Sequence, residues 1–327
     1  MDKPRIVVAR AVFPQVLQRL EQHFDVLSNQ SDEVWSADEL ARRLDSAVGL
    51  FCTGSERVDQ ALLRVCPSLR ICANMAVGYN NFDLDAMTAA GVLGTNAPDV
   101  LTETTADFGF ALLMAAARRV VESEHFLRAG RWSRWGHDMF AGAEVHGSTL
   151  GIIGMGRIGQ AIARRGAFGF GMHVLYHNRS QLDAGVEAEC KASFVSKDVL
   201  LQTADHVVLV LPYSAGAHHT IGARELALMK STAVLVNIAR GGIVDDAALA
   251  VALRERRIAA AGLDVFEDEP SVHPALLEVP NVVLTPHIAS ATLSTRLAMA
   301  NLAADNLIGY LCSNAALTPV NPDVLRV

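Results

Sequence analysis

The sequence predicts an α/β protein of two doubly wound domains, each a parallel sheet covered by helices on both faces. Three observations carry that expectation. Short apolar runs alternate with helix-like amphipathic stretches along almost the whole chain, the pattern of strands joined by crossover helices. The 327 residues match two domains of ordinary size. The chain is 51% hydrophobic and 19% charged, with a mean hydropathy of +0.25, which favours sheets buried on both faces.

Taken in order, the first strands read IVVA, FDVL, VGLF and LRICANMAV. Between them FPQVLQRLEQHF, SADELARRL and VDQALLRV carry apolar stripes at helical spacing. Ser36 and Glu39 have the spacing of a capping box. TETTADFGFALLMAAARRVVESEHFLRAG then predicts one long helix closed by Gly130. Its Ala-rich centre implies burial on several sides, as in a helix linking two domains. The segment RWSRWGHDMFAGAEVHGS has no clear period and carries Trp132 and Trp135, so an arm or interface is expected there. At Thr149 a second series begins: LGIIG, HVLYHN, DHVVLVLP, AVLVNIA, IAAAGLDV and NVVLTPH. The final helix, TLSTRLAMANLAADNLIGYL, is expected to pack back on the first domain.

Several function classes are disfavoured. MDKPRIVVAR lacks the apolar core and cleavage pattern of a signal peptide. The longest uncharged stretch, residues 206–223, holds Pro212 and Gly216 and makes a poor membrane span. Cys52, Cys66, Cys72, Cys190 and Cys312 are scattered without a CxxC, and read as reduced core residues of a cytoplasmic protein. A net charge of −7, with no basic block, argues against nucleic acid. The eleven histidines show no metal-ligand spacing, and the adjacent His218 and His219 would diverge on a regular element. No metal is expected.

The second series opens with Leu150-Gly151-Ile152-Ile153-Gly154-Met155-Gly156-Arg157-Ile158-Gly159. A bare G-x-G-x-x-G is weak, but this one follows an apolar strand and opens a helix, QAIARRGAFGFG, the context a dinucleotide site needs. Nineteen residues past Gly159, where an NAD enzyme places an acid for the ribose hydroxyls, stands Asn178, followed by Arg179 and Ser180. An acid would repel a 2′-phosphate; an arginine and a serine would welcome one. NADP, with NADPH preferred over NADH, is therefore the expected cofactor.

Three later strands release polar residues from apolar runs: Arg240 after VLVNIA, Asp264 to Glu269 after AAAGL, and His287 after NVVLTP. Strand C-termini line the ligand crevice of a parallel doubly wound sheet. Singly, each has a bland reading as a solvated strand end or a turn; together in one half-chain they point to chemistry. A ketone receiving hydride needs a proton donor, which histidine provides near neutrality. A glutamate beside it favours the imidazolium, and an arginine offers a planar fork to the carboxylate of a 2-oxo acid.

With these residues placed, the chain resembles the D-isomer-specific 2-hydroxyacid dehydrogenases. The likeness covers nearly the whole chain, through AVGYNNFDLDAM, VLTETTADFGFALLMAAARR, GIIGMGRIG, NIARGGIVDDAAL, GLDVFEDEP and PHIASAT. It is most similar to the glyoxylate/hydroxypyruvate reductase branch, and within that to the bacterial 2-ketogluconate (2-ketoaldonate) reductases. The resemblance implies two Rossmann-like domains. One is a flavodoxin-like substrate domain of residues 1–100 plus 291–327, the other an inserted NAD(P)-binding Rossmann domain of residues 101–290. It implies Arg240, Glu269 and His287 as the catalytic set, and backbone N–H groups around Val77 and Gly78 on the same substrate carboxylate.

For the cofactor the resemblance implies Thr105, the loop residues Gly154, Met155, Gly156, Arg157, Ile158 and Gly159, and then Asn178, Arg179 and Ser180. Leu211 and Pro212, Ile238 and Ala239, and His287 with Ser290 complete the set, while Asp264 would hold the nicotinamide amide. The implied activity is NAD(P)H-dependent reduction of glyoxylate, hydroxypyruvate or 2-ketogluconate to D-2-hydroxy acids by a homodimer. Hydride comes from nicotinamide C4 and the proton from His287. Two alternatives stay open: a dinucleotide-sensing scaffold resembling transcriptional corepressors, which share the triad, and a phosphite or formate dehydrogenase on the same fold.

Overall fold

A computed structural model describes residues 3–326. They form two compact units, one of residues up to Leu101 together with those from Ala291 onward, the other Thr102–Ser290. The first unit alternates β1 (Arg5–Val8), α1 (Pro14–His23), β2 (Asp25–Ser28), α2 (Ala37–Arg43) and β3 (Gly49–Cys52). It continues through α3 (Gln60–Val65), β4 (Ile71–Asn74), α4 (Leu84–Ala89) and β5 (Leu93–Thr95). All strand pairs are parallel, in the order β2-β1-β3-β4-β5, the flavodoxin-like arrangement.

The continuous apolar runs of these strands follow from burial on both faces. Ile6 and Val8 enter one core layer with Val16, Leu20, Ala300 and Leu307, whereas Val7 enters the other with Leu40, Leu62 and Met87, as a period of two requires. Local caps fix where the helices start. Ser36 Oγ accepts from Glu39 N at 3.2 Å, and Asp59 Oδ1 accepts from Ala61 N and Leu62 N at 3.0 and 3.1 Å. Only half of the expected capping box forms, because the Glu39 carboxylate is taken by Arg42 and Arg43.

In the second unit α5 (Thr102–Ala117) and α6 (Val120–Arg128) precede β6 (Thr149–Ile153), α7 (Arg157–Arg164) and β7 (His173–His177). Then come α8 (Ala184–Cys190), β8 (Ala192–Phe194), α9 (Lys197–Thr203), β9 (His206–Leu209) and α10 (Ala223–Leu228). The series ends with β10 (Val234–Asn237), α11 (Asp246–Arg254), β11 (Ala260–Leu263), α12 (Pro274–Glu278) and β12 (Val282–Leu284). The parallel sheet runs β12-β11-β10-β9-β6-β7-β8, so strand order reverses between β6 and β9, the switch point where such sheets bind ligands. The last helix, α13 (Leu293–Ser313), lies in the first unit, where Ala300, Ala303, Ala304 and Leu307 join the layer of Ile6 and Phe51.

Two expectations need correction. The long helix is broken: Arg119 sits at φ +54°, dividing α5 from α6. Residues of the arm cause the break, since Ala143 N donates to Ala117 O at 2.9 Å, and a Cβ on Gly142 would lie 2.1 Å from that oxygen. Arg119 is held by two hydrogen bonds to Glu122 and by the Phe140 ring. The second correction concerns cysteine. Four are buried, with the Cys52 and Cys72 thiols pushed up by desolvation, but Cys312 is exposed at the outer end of α13. The arm itself carries neither strand nor helix over residues 131–148, and leaves Trp132 and Trp135 58% and 78% exposed.

Candidate active site

The C-terminal ends of β6, β7, β10, β11 and β12 carry almost all the second-unit residues singled out by sequence. After β6 the chain turns at Gly154, whose φ of +102° and whose missing Cβ, 2.7 Å from the Val210 carbonyl carbon, admit no side chain. Gly159 brings α7 onto this turn; a Cβ there would sit 2.3 Å from Gly154 O. Gly156 has nothing within 4 Å of its Cβ position, so open space remains before the N-terminus of α7. That set of three glycine roles suits a pyrophosphate approaching a helix N-terminus. Arg157 and Ile158 form the first turn of α7.

Asn178, just past β7, accepts a hydrogen bond from Met155 N through Oδ1 at 2.7 Å. Met155 itself is buried, so the residue serves the loop from inside. Arg179 and Ser180 are exposed and make no hydrogen bond or ion pair among the described residues. Thr105, on α5, is 5% exposed with its hydroxyl unpartnered among the described residues. Such an orphaned buried oxygen on α5, taken together with the glycine turn at the N-terminus of α7, fits a dinucleotide. Leu211 and Pro212 follow β9; Ile238 and Ala239 are buried after β10, with Ile238 Cδ1 against Gly109 of α5.

Asn237, the last residue of β10, shapes the turn that presents Arg240. Its Oδ1 accepts from Ala239 N at 3.1 Å and its Nδ2 donates to Arg240 O at 3.3 Å. Arg240 is half-buried and donates to Ala239 O at 2.8 Å. Desolvation lowers its pKa from the ordinary value, opposed by the charge of Glu269; an arginine keeps its proton regardless. Gly241 lets the turn lie against the loop after β11, for a Cβ would fall 1.6 Å from Phe266 O.

That second loop carries Glu269, whose Oε1 accepts from Phe266 N at 2.9 Å. Its Oε2 lies 2.8 Å from His287 Nδ1. Burial pushes the Glu269 carboxyl up, but the His287 bond and charge, the Phe266 N–H and Arg240 outweigh it, and the net shift is downward. His287 stands at φ +55°, uncommon for a residue with a Cβ, and its N–H donates to Thr285 O at 3.0 Å. With Nδ1 facing a carboxylate, the other ring nitrogen, Nε2, is left to act outward; it has no partner among the described residues.

Asp264 is wholly buried. Its Oδ1 accepts from Thr285 Oγ1 at 2.7 Å and Ile288 N at 2.8 Å, and Oδ2 accepts from Ala289 N at 2.8 Å. Desolvation raises its pKa against those bonds. The structure thus gives Asp264 the task of fixing the loop that carries His287 and Ser290. In the first unit, Asn96 Nδ2 donates to Val77 O at 2.8 Å and Asn74 Nδ2 to Gly78 O at 3.2 Å. These carbonyls are occupied, while the N–H groups of Val77 and Gly78 have no acceptor among the described residues. Sequence reasoning missed Asn74, Asn96 and Asn237; their only signal is an amide at or just past a strand end.

A cavity of about 420 Å³ opens at the opposite, N-terminal edge of the second sheet, among Arg119, Gly142, Arg256, Asn281 and Val282. It contains none of the site residues that the sequence singled out. Among the described residues no helix is long and apolar enough to cross a membrane.

Comparison with known proteins accords with this geometry. Residues 110–289 match the family model described as D-isomer specific 2-hydroxyacid dehydrogenase, NAD binding domain. A glyoxylate reductase of Thermococcus onnurineus is 46% identical over 99% of this chain and 98% of its own length. A glyoxylate/hydroxypyruvate reductase B of Escherichia fergusonii is 46% identical over 99% of this chain and 100% of its own. Among solved structures, an NADPH-dependent glyoxylate/hydroxypyruvate reductase of Sinorhizobium meliloti, in complex with NADP and malonate, is similar at 37% identity. It aligns with a TM-score of 0.87 over 98% of this chain and 97% of that one. This chain belongs to the D-isomer specific 2-hydroxyacid dehydrogenase family.

Proposed function

We propose that the protein reduces small 2-oxo acids, glyoxylate, hydroxypyruvate or 2-ketogluconate, to D-2-hydroxy acids, with NADPH preferred. The observation that carries this reading is the His287–Glu269 pair at 2.8 Å, with the half-buried Arg240 guanidinium in the same group of strand ends. When bound, the reduced nicotinamide supplies the hydride. The glycine loop from Gly154 to Gly159 would hold its pyrophosphate, and Asn178, Arg179 and Ser180 its ribose end. Arg240 receives the substrate's carboxylate, for which its low-dielectric surroundings strengthen attraction.

As hydride reaches the carbonyl carbon, negative charge grows on its oxygen. His287 delivers the proton from Nε2, while Glu269 stabilises the imidazolium at Nδ1 and keeps the ring from rotating. The relatives' names support the reductive direction, and the NADP-bound Sinorhizobium relative supports the cofactor choice. Initial rates with glyoxylate, hydroxypyruvate, 2-ketogluconate and its 6-phosphate, each with NADPH and NADH, test the proposal. Turnover of at least one acid, faster with NADPH, is expected. Binding of NADPH without turnover of any acid would favour a dinucleotide sensor instead.

A further inference from the structure

Neither His218 nor His219 has a part in the chemistry above, and neighbouring histidines on a strand or helix point apart. Here a 3₁₀ turn, Ala215–Ala217, leads into His218, and His219 then adopts φ +50°. Contrary to the expected divergence, the two rings stack with centroids 3.8 Å apart. Both turn Nε2 toward one oxygen of Glu267, on the loop after β11: His219 Nε2 at 3.1 Å and His218 Nε2 at 3.7 Å. The other ring nitrogens each have an oxygen behind them. His218 Nδ1 lies 3.3 Å from the Tyr213 hydroxyl, and His219 Nδ1 lies 3.8 Å from Asp245 Oδ2.

From this geometry we infer that His218, His219 and Glu267 form a binding site for a borderline divalent transition-metal ion such as Zn²⁺. Two imidazoles and a carboxylate, with water completing the shell, are a donor set such ions take. Ligating histidines normally give their second nitrogen to a carboxylate or another oxygen; here His218 Nδ1 is hydrogen-bonded to the Tyr213 hydroxyl, and the Asp245 carboxylate stands near His219 Nδ1 beyond hydrogen-bond distance. The ligand atoms lie within 4.8 Å of one another, against roughly 3.4 Å around a tetrahedral ion with bonds of about 2.0–2.1 Å. Closure is therefore small. It turns the exposed His218 ring out of the stack, because parallel imidazoles cannot both aim their lone pairs at one point.

The ion would tie together two loops. His219 N donates to Gly242 O at 2.7 Å, two residues beyond Arg240, and Glu267 is two residues before Glu269. Any effect on turnover rests on the reading of those residues proposed above; metal binding does not. The test is calorimetric titration of metal-stripped full-length protein with Zn²⁺ near neutral pH, with Co²⁺ absorption spectra reporting coordination. One ion per chain, a tetrahedral Co²⁺ spectrum, and binding weakened roughly tenfold or more in His219→Ala and Glu267→Gln are expected. His287→Ala, which removes the His287–Glu269 pair, should bind as the wild type does. A Zn²⁺-dependent rise in melting temperature, lost in His218→Ala, provides a second readout. No binding at millimolar Zn²⁺, or a site lost in His287→Ala and kept in His219→Ala and Glu267→Gln, would overturn the inference.

Discussion

A charged side chain that leaves an apolar strand buried on both faces can reach a ligand only past the strand's end. Arg240, Glu269 and His287 each follow a strand that is buried on both faces, so their functional side is the strand's C-terminal end. The asparagines that hold the backbone were not legible, since Asn74 and Asn237 act through turns that only the folded chain creates. Two predictions belong at this scale. Glu269 has a depressed pKa, so its bond to His287 is fully present above the ordinary glutamate value and is lost only as pH falls through the depressed one. Reduction should therefore fade as pH falls through that depressed range, and Glu269→Gln, which has no carboxylate to protonate, should lack this acid limb, as rate profiles of the two proteins would show. Coincident profiles would refute the coupling. For the cofactor, Arg179→Ala should weaken NADPH by roughly 10- to 100-fold while leaving NADH nearly unchanged, a charge-assisted bond being worth about 1.5–3 kcal/mol. Asn178→Asp should go further and favour NADH, by repelling the phosphate. Kinetic constants with both cofactors decide, and an NADH-preferring wild type would show that Arg179 faces only solvent.

Helices and strands were legible where they are long or doubly buried. The six strand signals from LGIIG to NVVLTP appear in the structure as β6, β7, β9, β10, β11 and β12. The three-residue β5 and β8, LGT and ASF, carry no continuous apolar run as the equally short β12 does, and they form because a neighbouring strand offers a parallel partner. No local feature of the α5–α6 segment announces its break at Arg119; the acceptor that ends α5 is claimed by Ala143, 26 residues after Ala117. Contacts between elements can be tested at Gly241, where the β10 turn meets the β11 loop. Gly241→Ala must push Phe266 O away from a Cβ placed 1.6 Å from it. A shift of about 1 Å between Arg240 and the Glu269 loop costs on the order of 10²-fold in rate. We therefore expect kcat/KM to fall about that much, with a lower melting temperature. Unchanged kinetics would mean the two loops work independently.

At the scale of the molecule, composition gave the class, and the alternation of elements gave two parallel sheets. Strand order was reachable only through resemblance, because local pattern does not say which strands pair. The exposed Trp132 and Trp135 are out of place on a water-facing arm, and large aromatics of that kind anchor contacts between subunits. The expected outcome is a homodimer in sedimentation at micromolar concentration, weakened by Trp132→Ala with Trp135→Ala; a monomeric wild type would contradict it. The central claim is that a half-buried cation follows β10 in order to receive a carboxylate. It is tested most directly by kcat/KM for glyoxylate against acetaldehyde, its uncharged analogue, in the wild type and in Arg240→Ala. Losing the partner of a desolvated charge costs about 3–5 kcal/mol, so the variant should lose roughly 10²- to 10⁴-fold on glyoxylate and little on acetaldehyde. A loss under about tenfold on glyoxylate, or an equal loss on both substrates, would contradict the account.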